Sequence, residues 1–185
     1  MDNRYHTLHI VWMIRGGADR AQASRISAIP HVYAKQTSRY FRGRDGSHPN
    51  PRISSIDRGI CVLVGISRDD NEDDIDYVTR KLLNLRLFDN AKSGKRWDKS
   101  VKDLGFEILS VSQFTLHVSF KGNKLDFHRS MAPKEAEQLY NEFVKKLRTD
   151  YSEDKVKDCE FGALMQVSIE NDGPVTFTID SKNRE

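Results

Sequence analysis

The spacing of apolar residues becomes regular only after about residue 52 of this 185-residue chain. Residues 60–66 form a continuous apolar run rich in β-branched side chains, which predicts a buried strand. The polar residues 69–74 then suit a helix N-terminus. The apolar residues that follow at spacings of three and four predict an amphipathic helix; they are Ile75, Val78, Leu82 and Leu85.

The second half of the chain again combines strand-like apolar segments with apolar residues at helical spacing. Residues 106–118, 161–169 and 175–179 are β-like, and Pro133 suits the first position of a second helix. The apolar face of that helix contains Ala136, Leu139, Tyr140, Phe143 and Leu147. Strands that interleave with two helices predict an α/β fold with a mixed sheet.

The first 52 residues differ in composition from the rest. They contain nine basic and three acidic residues, whereas residues 53–185 contain 21 and 24. Residues 8–14 suit one short strand, and the glycines and prolines between residues 43 and 51 predict a loop or disorder. We therefore divide the chain into an atypical basic segment (1–52), a main domain (53–180) and a short tail (181–185).

Several kinds of protein and site are disfavoured by composition. No apolar run approaches the roughly 18 residues of a membrane span. The two cysteines, Cys61 and Cys159, support neither a disulfide framework nor a zinc site, and Cys61 is expected to be a buried core thiol. The six histidines are scattered, and phosphate-binding loops and nucleophile-elbow motifs are missing. We expect no metal, no cofactor, no membrane partner and a reducing, cytoplasmic location.

Two short motifs remain as candidates for chemistry. The first is Ser112-Gln113-Phe114-Thr115-Leu116, and the second is Asn171-Asp172-Gly173-Pro174-Val175-Thr176. Taken alone, the first is typical of a strand edge and the second of a turn. Together, in this order and separation, they resemble the paired signature of the D-aminoacyl-tRNA deacylase family. Residues 58–66, 83–88, 121–128 and 161–167 also resemble that family, of the eukaryotic type, so that the likeness covers about residues 53–180.

The resemblance implies an enzyme that hydrolyses the ester of D-aminoacyl-tRNA, and of mischarged glycyl-tRNA, during translation. It also implies barrel-like layers of mixed sheet and a homodimer. Ser112, Gln113, Phe114 and Thr115 would be catalytic. The backbone N–H groups of Gln113 and Phe114 are candidates to stabilise the oxyanion. Thr115 has no adjacent base in the sequence, so a positioning role is favoured over covalent catalysis.

The same resemblance assigns substrate-binding residues. Gly173 and Pro174, joined by a cis bond, would enter the partner's pocket with Asn171 and exclude L-configured side chains. Met165 and Phe114 would pack against the terminal adenine, although plain core packing explains Met165 equally well. The acceptor-stem phosphates are assigned to Lys121, Lys124 and Arg129, in a loop that is otherwise typical of a solvated surface.

The N-terminal segment departs from the family pattern, because its usual first strand is not found. Residues 8–15 are a poor substitute in sequence, and without a first strand the sheet would have an unpaired edge. The segment is interpreted as an alternative or mis-spliced N-terminus, with a targeting extension or a new strand and tail as alternatives. Two other functions stay open: a non-catalytic nucleic-acid-binding protein, and a deacylase for mischarged L-alanyl-tRNA, which the D-specific forms of both motifs disfavour.

Overall fold

The protein is described here by a computed structural model that covers residues 9–14, 32–36, 53–169 and 175–184. The strands in these residues are β1 (His9–Ile14), β2 (Val32–Gln36), β3 (Ile53–Ile56), β4 (Gly59–Gly65), β5 (Glu107–Ser112), β6 (Ser119–Lys121), β7 (Lys124–Asp126), β8 (Val156–Asp158), β9 (Met165–Ser168) and β10 (Thr178–Asp180). The helices are α1 (Glu72–Asn84), α2 (Val101–Leu104) and α3 (Pro133–Asp150).

The central sheet has five strands in the order β10-β1-β4-β5-β8. Strands β4, β5 and β8 are parallel, whereas β1 is antiparallel to both of its neighbours. The predicted mixed sheet is therefore confirmed. The short strand expected at residues 8–14 is also present, and it pairs with β4 from His9 opposite Gly65 to Ile14 opposite Ile60. Residues 9–14 therefore do serve as the substitute first strand that their sequence made unconvincing, and β1 pairs with both β4 and β10, so the edge that a missing strand would leave is not present at β4.

A second sheet has the order β3-β2-β9, and a separate hairpin is formed by β6 and β7. The hairpin was not predicted as a distinct element. Residues 161–169 are β-like over a shorter length than expected, because only Met165–Ser168 is strand and the residues before it form a turn. The second sheet packs over a small cluster that contains both buried thiols, Cys61 and Cys159. Burial raises the pKa of Cys61 to about 12, so this thiol is unreactive, as its expected core position requires.

Both predicted amphipathic helices are present and pack on the central sheet. Helix α1 begins at the N-cap Asn71, which forms a reciprocal capping box with Asp74. Helix α3 begins at Pro133 and buries the side chains of Tyr140, Phe143 and Leu147. The short helix α2 was not predicted; it is capped by Ser100 and ends at Gly105, whose φ of 63° is readily adopted by glycine. The main core lies between these helices and the sheet.

Candidate functional site

The first motif lies where strand β5 leaves the central sheet. Ser112 is the last residue of β5 and stands opposite Val64 in the parallel register. Gln113 continues that ladder, because its N–H donates to the Val64 carbonyl over 2.7 Å. This bond corrects one expectation from the sequence. The Gln113 N–H is not available to an oxyanion, since it is already committed to the sheet.

The next four residues, Phe114–His117, form a single 3₁₀ turn. The turn is closed by bonds from Leu116 N–H to the Gln113 carbonyl (3.2 Å) and from Val118 N–H to the Thr115 carbonyl (3.2 Å). The N–H groups of Phe114 and Thr115 are at its start, where a helical turn has no internal acceptor. Within the described residues, no other acceptor is recorded for either group. The pair available to an oxyanion is thus Phe114 and Thr115.

Gly65 allows this turn to pack closely on strand β4. A Cβ atom at Gly65 would lie 2.8 Å from the Cβ of Leu116 and 3.2 Å from the Gln113 carbonyl oxygen. Real Cβ atoms do not approach that closely, so any larger residue would push the turn outward. A strand-end glycine is the sequence signal for this close approach, but the sequence does not show what approaches it.

The side chains of Gln113 and Thr115 are hydrogen-bonded to each other, with the amide Nε2 donating to the hydroxyl Oγ1. A neutral amide is not a base in either of its orientations. The contact therefore orients the Thr115 hydroxyl without activating it as a nucleophile. This geometry favours the positioning role of Thr115 over the covalent one.

A cavity of about 750 Å³ adjoins the turn. Its lining is mostly apolar; it consists of Val64, Ile66, Val111, Ser112, Gln113, Phe114, Phe127, Ser130, Met131, Ala132, Pro133, Ala136, Phe161, Gly162, Ala163, Leu164, Met165 and Val167. None of these described lining residues has an ionisable side chain. Phe114 and Met165, which were expected to contact the adenine, line the same cavity. The cavity therefore offers backbone dipoles, two hydroxyls and one amide, but no acid or base.

Two hydroxyl groups hold the walls of the cavity in place. The Ser130 hydroxyl donates to the Phe114 carbonyl (3.1 Å), and the Phe114 ring meets Phe127 edge-on with centroids 5.0 Å apart. Ser112 Oγ accepts the Gly162 N–H at 3.3 Å, and Gly162 adopts φ of 66°. Sequence reasoning missed Ser130 and Gly162, because nothing in their local pattern distinguishes them from ordinary loop residues.

The three predicted phosphate-binding residues lie on or just after the β6–β7 hairpin. Lys121 is ion-paired with Asp126, and that pairing, together with His128, holds the pKa of Asp126 well below its usual range. Lys124 is exposed at the hairpin turn, and Arg129 is half-buried. The cavity-lining residues Phe114 and Phe127 flank the hairpin in sequence, although none of the three cations itself lines the cavity. The chiral-gate residues Asn171, Gly173 and Pro174 lie outside the described residues.

Comparison with known proteins decides the family. A profile of the D-Tyr-tRNA(Tyr) deacylase family matches residues 47–180. The chain belongs to this family. The family identified from the two motifs is thereby confirmed, and with it the class of enzyme, a hydrolase.

Individual deacylases are similar over most of the main domain. The D-aminoacyl-tRNA deacylase of Drosophila melanogaster is 53% identical over 133 residues, which are 72% of this chain and 83% of that protein. D-aminoacyl-tRNA deacylase 1 of Homo sapiens is 53% identical over 130 residues, or 70% of this chain and 62% of that protein. The chain thus spans less than two thirds of the human relative.

Two solved structures have the same fold as this deacylase-family chain. One, titled "c-Myc DNA Unwinding Element Binding Protein", is 41% identical, with a TM-score of 0.71 over 93% of this chain and 97% of that one. The other, titled as a probable eukaryotic D-amino acid tRNA deacylase, has a TM-score of 0.69 over 94% and 99%. At 16% identity, the second supports the fold alone.

This deacylase-family chain also has a buried acid cluster, defined as Asp70, Asp74, Lys182 and Arg184. Asp70 accepts the Ser67 N–H (2.7 Å), and Asp74 caps α1 and binds the Lys182 ammonium. Arg184 approaches Asp74 to 3.7 Å. The pKa of Asp70 is raised to about 7, chiefly by burial; the Ser67 N–H and Lys182 act to lower it, and the neighbouring Asp74 acts to raise it.

The acid cluster is not part of the cavity, since none of its four residues lines it. Across the described residues, no group of three or more His, Cys, Asp or Glu side chains is arranged to bind a metal ion. Likewise, no described helix is long and apolar enough to cross a membrane.

Proposed function

We propose that this chain hydrolyses the ester that joins a D-amino acid to the terminal ribose of tRNA, within the cavity beside the Phe114–His117 turn. The proposal is carried by the N–H groups of Phe114 and Thr115, for which no acceptor is recorded among the described residues, in a turn beside a cavity whose described lining has no ionisable group. Membership of the deacylase family indicates which bond is hydrolysed, the ester between the amino acid and tRNA. The printed names of the relatives, which are D-aminoacyl-tRNA deacylases, support the same substrate class.

The reaction is an ester hydrolysis in which one water molecule is consumed. The water oxygen bonds to the ester carbonyl carbon, and the former carbonyl oxygen becomes an oxyanion that accepts from the Phe114 and Thr115 N–H groups. The bond from that carbon to the ribose oxygen then breaks, and a water proton ends on the ribose oxygen. One oxyanion-hole donor typically contributes a factor of about 10²–10³ to kcat, so two aligned donors are a substantial part of the catalysis.

The proton carrier has to come from the substrate or the solvent, because no described lining residue is an acid or a base. The vicinal 2′-hydroxyl of the terminal ribose is the nearest group that the substrate itself offers. We assign the proton transfer to it. Ser112 and Gln113 then position the ribose and the water, and Thr115 holds the Gln113 amide.

Discrimination between D- and L-aminoacyl groups is assigned to the second motif. We infer that Gly173 and Pro174, with Asn171, reach the cavity of a second subunit in a homodimer and exclude an L side chain by steric contact. Exclusion by rigid backbone rejects the wrong substrate without needing a stronger bond to the right one. A glycyl group has no side chain to exclude, so mischarged glycyl-tRNA is expected to be hydrolysed too.

The RNA partner is the acceptor end of tRNA. Phosphate contacts are assigned to Lys121, Lys124 and Arg129, which lie beside the cavity in a main domain that is otherwise mildly acidic. Such contacts make binding salt-dependent, because counterions leave the RNA when phosphates are neutralised. A cytoplasmic location fits this substrate and the two buried cysteine thiols.

The decisive experiment compares hydrolysis of D-Tyr-tRNA, L-Tyr-tRNA and Gly-tRNA by the purified full-length chain. We expect cleavage of the D and glycyl esters and none of the L ester. The variant Gly173→Ala tests the gate, and Asp172→Ala, at the preceding position in the sequence, serves as its control. If discrimination between D- and L-Tyr-tRNA survives Gly173→Ala, the gate is assigned to the wrong residues.

A second candidate is a nucleic-acid-binding protein that lacks catalysis. It is favoured by the similar chain titled as a c-Myc DNA unwinding element binding protein, and by the basic residues 1–52. Fluorescence anisotropy that measures binding of duplex DNA and of uncharged tRNA distinguishes this function from that of a deacylase. Tight duplex binding by a folded chain that cleaves none of the three esters would replace the deacylase proposal.

A further inference from the structure

The β6–β7 hairpin has two unlike faces. Phe120 stands directly opposite Leu125, and the flanking pairs are Ser119 with Asp126 and Lys121 with Lys124. Directly opposed residues of an antiparallel pair project to the same side, and successive residues alternate. Phe120 and Leu125 therefore share one face, and the polar pairs share the other.

The polar face is internally bonded. Asp126 contacts the Lys121 ammonium and the His128 ring, and the Ser119 hydroxyl donates to the Asp126 carbonyl (3.2 Å). These contacts hold the hairpin in one shape. The Phe120 and Leu125 side chains on the apolar face take no part in these polar contacts.

The apolar face, which we call the Phe120–Leu125 platform, is open to solvent. Phe120 is 69% exposed and Leu125 is 60% exposed. One exposed apolar side chain is ordinary, but two that form a cross-strand pair make a contiguous apolar surface. A surface of this kind on a rigid hairpin indicates a contact with another molecule.

The platform lies beside the proposed ester site. The hairpin begins two residues after the catalytic turn, and Phe127, two residues beyond Leu125, lines the cavity. Two residues of extended chain span at most about 7 Å, so the platform is within one nucleotide length of the cavity wall. Phe114, at 59% exposure, lies at the start of the same stretch of chain.

Charge around the platform favours an anionic partner. Residues 119–129 contain three cations, Lys121, Lys124 and Arg129, and one carboxylate, Asp126. A second copy of this chain docked by a two-fold axis on the platform would bring like charges together, which is unfavourable. Phe120 can stack on a base, while Lys121 and Lys124 on the opposite face of the narrow hairpin, with Arg129 after it, add positive charge that attracts phosphates. Stacking combined with phosphate attraction is how single-stranded nucleic acid is bound.

We propose that the Phe120–Leu125 platform stacks the unpaired nucleotides immediately upstream of the terminal adenosine of the RNA. This inference rests on the proposed function, because it takes the RNA 3′ end to lie in the cavity. It adds a specificity-determining surface: the platform distinguishes an aminoacyl group on an RNA end from the same group on a free nucleoside.

The test compares two substrates, D-Tyr-tRNA and the D-tyrosyl ester of adenosine, which has no upstream nucleotide. The double variant Phe120→Ser/Leu125→Ser is expected to raise KM for D-Tyr-tRNA about tenfold, as loss of one stacked base implies, with kcat unchanged. Hydrolysis of the adenosine ester is expected to keep its wild-type kcat/KM. Phe120→Tyr keeps a ring and is expected to retain the KM of the wild type, which excludes a folding defect as the cause.

Binding of a labelled, uncharged single strand ending in CCA separates this inference from the proposed function. If the wild-type chain hydrolyses neither ester but binds the strand, and the double variant binds it about tenfold more weakly, the platform stands and the deacylase proposal fails. Equal strand binding and equal KM for both proteins would overturn the platform. So would conversion of a dimer to a monomer by the double variant in sedimentation velocity, since the platform would then be a protein interface.

Discussion

Two polar regions follow the carboxyl ends of the neighbouring parallel strands β4 and β5, and they use polar groups in opposite ways. The turn of residues 114–117, which we propose to be catalytic, has two backbone N–H groups without a recorded acceptor among the described residues, and it adjoins a cavity whose described lining has no charge. The acid cluster concentrates buried charge, with Asp70 and Asp74 held by cations from the C-terminal residues. The cavity is suited to catalysis, whereas the ion pairs of the acid cluster hold the C-terminal residues against helix α1.

This contrast shows how a strongly shifted pKa can mislead. A buried carboxyl with a pKa near 7, as at Asp70, usually suggests an acid or base of an active site. Here that carboxyl lies outside the cavity, and the proposed chemistry depends on dipoles that do not titrate. The following predictions separate the two regions, from the largest expected effect to the smallest.

Removing the central carboxylate of the acid cluster is expected to cost the most stability. Asp74→Ala should lower the free energy of unfolding by about 4 kcal/mol, because it removes the buried carboxylate that pairs with Lys182 and Arg184 and deletes the α1 capping box. The activity of each folded molecule should stay the same. Urea denaturation measures the loss of unfolding free energy, and kcat/KM per folded molecule measures whether activity is unchanged. Asp73→Ala, an exposed change in the same turn, should cost only a few tenths of a kcal/mol.

The acid cluster should also make stability depend on pH. Because the pKa of Asp70 is about 7 in the folded chain and near 3.8 when unfolded, the folded chain binds more protons between those values. Stability from this group is therefore full below about pH 4 and is lost as pH rises from there through 7, by roughly 4 kcal/mol. The difference in unfolding free energy between wild type and Asp70→Asn, measured from pH 4 to 8, should follow this curve. A constant difference would contradict the burial of a titrating Asp70.

On the catalytic side, moving the turn should affect activity more than stability. In Gly65→Ala the new Cβ meets the Leu116 Cβ at 2.8 Å, so the turn and its N–H pair must shift. A displacement of about 1 Å can cost up to about 10²-fold, and we expect kcat/KM to fall about 10- to 100-fold with D-Tyr-tRNA.

Gly59→Ala, at the other end of the same strand, is the matched control. Its Cβ would occupy the place of the Glu107 backbone oxygen, far from the cavity along β4. It should reduce stability while the folded fraction keeps its kcat. If Gly65→Ala retained full activity, the turn would not be the catalytic element.

Local pattern was enough for the parts of this fold that depend on local burial. Residues 60–66 are a continuous apolar run, and residues 133–150 have apolar side chains at helical spacing. The strand and the helix predicted from these patterns are both present. Strand β1 was predicted as a strand, but its place between β4 and β10 depends on pairing with residues far away in sequence. Pairing of that kind leaves little local signal.

The site was predictable in identity but not in detail. Ser112, Gln113 and Phe114 line one cavity, and Thr115 follows in the adjoining turn; their catalytic roles stay predictions. The assignment of a free N–H to Gln113 failed, because only the register of β5 on β4 places the Val64 carbonyl opposite it. Ser130 and Gly162 each contact the first motif through one hydrogen bond, to Phe114 and Ser112 respectively. A hydrogen bond between residues far apart in the chain cannot be recognised from the sequence.

The smallest expected effect is that of the Thr115 hydroxyl. If Thr115 only orients Gln113, Thr115→Ala should lower kcat/KM about three- to tenfold, as loss of one neutral hydrogen bond implies. Thr115→Ser keeps the hydroxyl and should stay near wild type. A loss of more than about a thousandfold, in a folded variant that still binds tRNA, would instead make Thr115 a nucleophile. The cavity would then need a base that its described lining does not contain, and the proton would have to pass to the RNA at an earlier step, during attack by threonine.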